Sequence, residues 1–368
     1  MLLCEYLSVM LSIICSCVLV YGQSSDLTSG AKMKKILSHI ETGHYLPYPL
    51  KMTLEPWSTP PKFTPNAIFT IGLAATYLPK EVTHFAGTAR TVAKFKGDIV
   101  LGLLPGSYNS RYKQRLIDFN VTVYAIDTKC SGKSDIRCEY NGQNDIPVTL
   151  LRHYIYQNWA SKYPASSVIM LSDYRDVFFQ SDPFKSRAVQ LMPKTYQLTV
   201  FQEHHPNRVI NRCAQNAGFI ISCYGREVYQ WLGWRTISTA GVVFGTRDGI
   251  LAYSFLITQS ANPSFRSSAN ATSALSIIEN KHCYSFGVEQ GFHNYLLYSN
   301  TLQKYMNVNL FQQGEGPANS LGGFFGDSKI LKALLSEWKV LRGESPYKYV
   351  YNWNGELSPV VHQLDRFL

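Results

Sequence analysis

An uncharged run, Val168-Ile169-Met170-Leu171, leads through Ser172 into Asp173-Tyr174-Arg175-Asp176 and then into Val177-Phe178-Phe179. Carboxylates beside a core-forming strand are costly unless they are paired, so Asp173 and Asp176 suggest a cation or a basic partner. A hard divalent ion takes oxygen ligands and can grip the phosphates of a substrate at the same time. The plainer alternative has Arg175 pairing with one aspartate while the other caps the next turn. Residue types alone leave both open.

The longer stretch Val168–Phe184, VIMLSDYRDVFFQSDPF, resembles the DxD region of GT-A glycosyltransferases. In those enzymes strand, acidic motif, strand and a following D-P-F/L recur. The stretch is similar in particular to the group containing glycogenin-like retaining transferases. D-Y-R-D departs from the pattern. Alignment on Val177 puts Asp176 at the second, metal-binding Asp and Tyr174 at the first, so that Asp173 supplies the other acid through a one-residue shift.

Further matches follow in the family's order. Arg152 opens a helix ahead of the acidic strand, where related enzymes place an Arg on the nucleotide diphosphate; an exposed helix Arg is the plain alternative. Ile237-Ser238-Thr239-Ala240-Gly241-Val242-Val243 resembles the strand under the donor sugar, where small residues let the sugar approach the backbone. Gly287-Val288-Glu289-Gln290-Gly291-Phe292-His293-Asn294 resembles the D-Q segment, with Glu in place of Asp. A carboxylate there can bind donor hydroxyls or stabilise oxocarbenium-like charge; the alternative is a helix N-terminal Glu favoured by the dipole. His293 reads as a structural polar group rather than a base. Ser358-Pro359-Val360-Val361-His362-Gln363 places a late His where related enzymes complete the metal site.

The resemblance thus implies Mn²⁺ (or Mg²⁺) held by Asp173, Asp176 and His362. It implies a nucleotide-sugar donor, a UDP-sugar first of all, contacted by Arg152, Gly72, Ser238 and Gly241. Glu289 and Gln290 would work at the donor sugar, Arg366 would lie near the phosphates, and the acceptor would be a glycan or glycoprotein. Anomeric retention is implied by the resemblance only.

The elements that must position these residues alternate from Ala67 onward. Ala67–Ala74, Asp98–Leu104, Val121–Ile126 and Val168–Leu171 have strand character. Lys80–Phe95, Asn109–Phe119 and Pro147–Tyr163 have helical spacing, the last with Pro at its start, where a missing N–H costs nothing. Such alternation predicts an α/β fold with a mostly parallel central sheet covered on both faces, here the GT-A (Rossmann-like) arrangement that the resemblance implies. Sheets of that kind bind ligands beyond the carboxyl ends of their strands. The second half is less regular, with strands at Gln197–Gln202 and Val242–Gly245 and helices at Gly249–Gln259, Ser285–Tyr298 and Ser328–Leu341.

Ahead of this domain (66–368), Pro47, Pro49, Pro56, Pro60, Pro61 and Pro65 make 23–65 a stem or a wrapped arm, with a short helix at Lys32–Glu41. Leu7–Tyr21 is apolar and uncharged, so 1–22 reads as a signal peptide or signal anchor; the run is shorter than the roughly 20 residues of a spanning helix. Either way the body is expected in the ER/Golgi lumen or secreted, with membrane contact only through an uncleaved anchor. The net charge of +10 suits anionic ligands, but the bases are scattered, with no arm, basic helix or zinc-finger spacing, which argues against nucleic acid. Outside the leader stand Cys130, Cys138, Cys213, Cys223 and Cys283; Cys130–Cys138 and Cys213–Cys223 are possible pairs and one thiol is left over. Sequons lie at Asn120 and Asn270. Two other functions fit the same residues: a catalytically inactive sugar-binding protein that lost its donor site, and a glycoside hydrolase using two carboxylates such as Asp176 and Glu289.

Overall fold

The computed structural model describes residues 26–41, 50–73, 79–131, 136–140, 143–192, 195–204, 207–261, 283, 285–322, 341–342 and 349–363. The leader, Pro47, Pro49, the Asn270 sequon, Arg366 and the helix expected at Ser328–Leu341, save its last residue, lie outside them.

The strands are β1 (Met52–Leu54), β2 (Asn66–Gly72), β3 (Asp98–Leu103), β4 (Thr122–Ile126), β5 (Cys130–Ser131), β6 (Arg137–Tyr140), β7 (Gln143–Pro147), β8 (Val168–Asp173), β9 (Val177–Phe179), β10 (Gln197–Gln202), β11 (Ser238–Thr246), β12 (Asn307–Phe311), β13 (Ala318–Ser320), β14 (Leu341–Arg342), β15 (Tyr349–Val350) and β16 (Val360–His362). Eight form one sheet in the order β1-β4-β3-β2-β8-β11-β10-β12. Its centre, β4-β3-β2-β8, is parallel, as the alternation requires. Beyond β8 the sheet turns mixed: β11 is antiparallel to both β8 and β10, and β10 is parallel to β12. The expectation of a mostly parallel sheet therefore holds for the first half only. The second half reaches its strands by excursions that reverse direction.

Helices cover both faces. They are α1 (Asp26–Glu41), α2 (Pro79–Val82), α3 (Thr88–Thr91), α4 (Ser110–Asp118), α5 (Val148–Ala160), α6 (Arg187–Gln190), α7 (Ala214–Leu232), α8 (Arg247–Ser260) and α9 (Val288–Tyr298). A π-helical stretch, Thr83–Gly87, joins α2 to α3, so the helix expected over 80–95 ends early. Local chemistry sets several boundaries. Asn109 accepts the Tyr112 N–H to start α4, Pro147 stands just ahead of α5, and Thr246 accepts the Gly249 N–H to start α8.

Strand side chains alternate between two cores, as a two-residue period demands. Ala67, Phe69, Val100 and Val243 join Tyr156, Trp159, Tyr253 and Phe292 on one face. Ile68, Ile99, Leu101, Val242 and Phe244 join Phe85, Tyr112, Phe179 and Phe184 on the other. The Pro-rich span is packed onto this body: β1 extends the sheet beside β4, and α1 lays Met33 and Ile36 into the first core.

Cys130 and Cys138 are bonded across β5 and β6. The possible Cys213–Cys223 pair does not form; Cys223 is bonded to Cys283, and Cys213 is a free thiol. The reason lies in α7. Cys213 stands immediately before the helix and Cys223 ten residues further along it. At 1.5 Å per residue that is roughly 15 Å, twice the reach of a disulfide. Among the described residues no helix is long and apolar enough to cross a membrane.

Candidate metal centre

The strand order reverses at β2. The chain steps from β2 to β3 to β4 on one side, then places β8 on the other. A crevice at the carboxyl ends of β2 and β8 follows from that switch. β8 ends on Asp173, which lies in register with Ile71, so Gly72 finishes its strand next to the acid.

A tight turn carries the chain from Asp173 to Asp176. Tyr174, at the pattern's first Asp, turns into the second core: it is buried, packs on Phe85, and pairs its hydroxyl with that of Tyr112 at 2.8 Å. That anchor leaves Asp173 and Asp176, three residues apart, on a common centre. His362 arrives from the far end of the chain. In the small sheet β13-β16-β9, it lies opposite Val177 on one side and Ser320 on the other. Backbone bonds fasten it, Leu321 N to His362 O at 2.9 Å and Gln363 N to Asp176 O at 2.6 Å.

His362 Nε2 lies 3.4 Å from Asp173 Oδ2 and 3.8 Å from Asp176 Oδ1. One ligand atom from each residue falls within 4.8 Å of the others. Nε2 is buried and makes no hydrogen bond, while Nδ1 lies 3.1 Å from Ser320 Oγ. With Nδ1 donating to that hydroxyl, the Nε2 lone pair faces two carboxylates, the donor set of a transition-metal ligand rather than of a core histidine. The residues present therefore fit a divalent ion. Asp173 keeps 32% of its side-chain surface, so the centre opens to solvent on that side.

The two carboxylates draw positive charge to this point, whether from a proton or from a metal ion. Burial works against charge on His362, yet Asp176 and then Asp173 raise its pKa. Burial alone would raise Asp173, but Arg152 and His362 together hold it well below the usual carboxylate range. Arg175, mostly exposed, lies 3.8 Å from Asp176 Oδ2 and is a peripheral pair.

No family model matches the chain, and no curated protein matches it.

Gly241 closes the floor. It immediately precedes Val242, the first residue of β11 paired with β8, opposite Ser172. A Cβ at this position would lie 2.6 Å from His362 Cε1 and Nε2 and 2.7 Å from Asp173 Oδ2. Only the missing side chain permits that approach.

Other residues singled out from sequence lie near and bond to the chain around the centre. Arg152 is not turned to an open face: its side chain is 12% exposed. It donates to Asp173 Oδ1, to Glu289 Oε1 at 3.3 Å and to Ala240 O at 3.4 Å. Burial opposes its charge, but Asp173 and Glu289 outweigh that and raise its pKa. Burial raises Glu289 despite the opposing pull of Arg152.

Gln290 accepts the Ala240 N–H at 2.8 Å and donates to Ser238 O, while Asn294, one turn on, brackets the Ser238 peptide groups. Both amides pin the start of β11. The Ser238 hydroxyl donates to Phe201 O at 3.1 Å, and His293 bridges Ser238 and Tyr253.

Two neighbours had no signal in the sequence. Ser320 orients His362 from an ordinary Ala-Asn-Ser. Glu203, just past β10, is paired with Arg208 at 2.8 Å and adds to the field on His362.

Proposed function

We propose that this chain is a metal-dependent glycosyltransferase of the GT-A type. It transfers a sugar from a nucleotide-diphospho-sugar, a UDP-sugar first of all, to a glycan or glycoprotein acceptor in the lumen of the secretory pathway. One observation carries the reading: Asp173, Asp176 and His362, drawn from a strand end, a turn and the last strand, converge at the carboxyl edge where the strand order reverses. The mixed α/β sheet and the disulfides support it, the latter because such bonds persist in an oxidising lumen.

Asp173, Asp176 and His362 would hold Mn²⁺. When bound, that ion stabilises the negative charge that develops on a departing diphosphate. The chain does the rest. The solvent-reachable edge of Asp173 marks where phosphate oxygens approach. Gly241 leaves the room in which His362 and Asp173 meet, and the Gln290 and Asn294 amides keep that backbone from shifting. Tyr174, tied to Tyr112, fixes the turn that sets the two carboxylates.

The test is UDP binding to the luminal body by calorimetry, with and without Mn²⁺, for the wild type and Asp176→Asn. Binding that needs Mn²⁺ and falls at least about tenfold in the variant is expected, the size of effect seen when metal-site residues are altered. Sugar binding indifferent to UDP and Mn²⁺ would instead establish a sugar-binding protein. Sugar release with no nucleotide present would establish a hydrolase.

A further inference from the structure

Asp173 uses its two oxygens differently. Oδ2 faces His362 Nε2, whereas Oδ1 accepts from the Arg152 guanidinium. The same guanidinium reaches across to Glu289 and to the Ala240 carbonyl. One planar fork thus ties together the end of β8, the start of β11 and the first turn of α9. Arg152 and Glu289 are both buried, with side chains 12% and 6% exposed.

We propose that Arg152 is a positioning residue of the metal centre, holding Asp173 so that Oδ2 points at the ion, and that Glu289 serves as the counter-charge that keeps Arg152 in place. The proposal rests on the metal-centre reading above. It moves Arg152 away from the nucleotide diphosphate and Glu289 away from the donor sugar, the roles implied by resemblance.

Two physical points carry it. First, a guanidinium presents its donors in a rigid plane, so two bonds to different elements fix both its own orientation and that of each acceptor. Carboxylates that bind metals are commonly oriented in this way by an outer partner. Second, a buried cation needs a buried anion. Asp173 cannot fully serve while it also ligates an ion, and Glu289 covers the difference. Three carboxylates (Asp173, Asp176 and Glu289) against one guanidinium leave two negative charges. That matches one divalent ion with His362 neutral. Arg175 is mostly exposed and Glu203 is already paired with Arg208, so neither alters the balance.

The experiment is Mn²⁺ affinity by calorimetry on the full luminal chain, with thermal melts in chelator as a check of folding. Arg152→Met alone leaves Asp173 and Glu289 facing each other without a cation and puts folding at risk, so the informative variant is Arg152→Met combined with Glu289→Met. That pair keeps the net charge of the cluster and removes only the positioning. It is expected to melt within a few degrees of the wild type while binding Mn²⁺ about ten- to a hundredfold more weakly. Glu289→Gln is expected to weaken Mn²⁺ by about tenfold through charge alone, and Arg152→Lys, which keeps the charge but not the fork, to lie between the wild type and the double variant. Wild-type Mn²⁺ affinity in the double variant overturns the proposal. So does a Glu289→Gln variant that keeps Mn²⁺ but loses UDP-sugar, since Glu289 would then touch the donor. If the wild type binds no divalent ion, or Asp176→Asn binds it undiminished, the metal centre itself falls and takes this proposal with it.

Discussion

Gly241 is where a single side chain decides most. The nearest atoms to a Cβ there belong to His362 and Asp173, two of the three prospective ligands. Neither can give way easily: His362 is buried in the small sheet, and Asp173 is held by Arg152. Gly241→Ala is therefore expected to cost about 1–3 kcal/mol of stability, as overpacking does. It should also separate the ligands enough to weaken Mn²⁺ at least about tenfold. A thermal melt and a calorimetric titration read the two effects, and an alanine variant with wild-type Mn²⁺ affinity would refute the geometry. Asp173, Asp176, His362 and Gly241 are singled out in the sequence by the resemblance to GT-A motifs and their order, and the fold brings the four together. What is not legible there is direction. Whether Tyr174 turns to the core, or Arg152 outward to phosphate or inward to Asp173, is set by which side of the sheet each side chain leaves, and a short turn has no period from which to read that. Ser320 and Glu203 are invisible for a related reason: they matter only because other strands bring His362 beside them.

At the scale of elements, the central strands of the first half follow their sequence pattern because they are short apolar runs separated by helical segments, one capped by Asn109 and one opened by Pro147. The alternation fails at α7. Its 19 residues include Gly218, Ser222 and Gly225, and Gly225 has φ 87°, outside helical geometry. Intrinsic propensity is poor, and the helix is held instead by burying Phe219, Ile220, Cys223 and Tyr224 against the core, with Tyr224 stacked on Tyr295 of α9. The Cys223–Cys283 bond reinforces this. It closes a loop with a sequence separation of 60 and joins α7 to the segment leading into Gly287 and α9. Loop-closure entropy for that length is about 4 kcal/mol, so Cys223→Ser with Cys283→Ser is expected to lower stability by up to that amount. Since α9 carries Gln290 and Asn294, the loss should be accompanied by weaker Mn²⁺ binding, whereas removing the Cys130–Cys138 bond, which joins β5 to β6 and does not hold α9, should affect binding less. Denaturant melts and titrations of the two double variants separate the cases; equal loss of binding in both would argue against the assigned role of α9.

Over the whole molecule, the polar interior behind the site should set the response to acid. His153 and His293 stand between α5, α8 and α9, in contact with Ser254, Tyr253 and Ser238 and within the field of Arg152. Burial, reinforced by Arg152, pushes both down, His293 to about 3. The native state therefore keeps them neutral while the unfolded chain protonates them near pH 6.5. A depressed histidine contributes stability that is present above the unfolded pKa and lost as pH falls below it. Each is worth about 1.4 kcal/mol per pH unit once the unfolded form is fully protonated. His362 acts in the other direction: its raised pKa contributes fully below pH 6.5 and is lost as pH rises, so near pH 6.5 it offsets a small part of the decline and below about pH 5.5 it adds no slope. Glu289, raised by burial, takes a proton earlier in the native state and offsets part of the loss. Two histidines against one carboxyl leave a net decline. In chelator, the denaturant midpoint should therefore fall steadily from pH 6.5 to 5, and His293→Gln should flatten that slope by roughly half. A midpoint unchanged over this range, or an undiminished slope in the variant, would mean that these histidines take up protons without unfolding. The polar layer beneath the metal centre would then be open to water rather than sealed by the three helices.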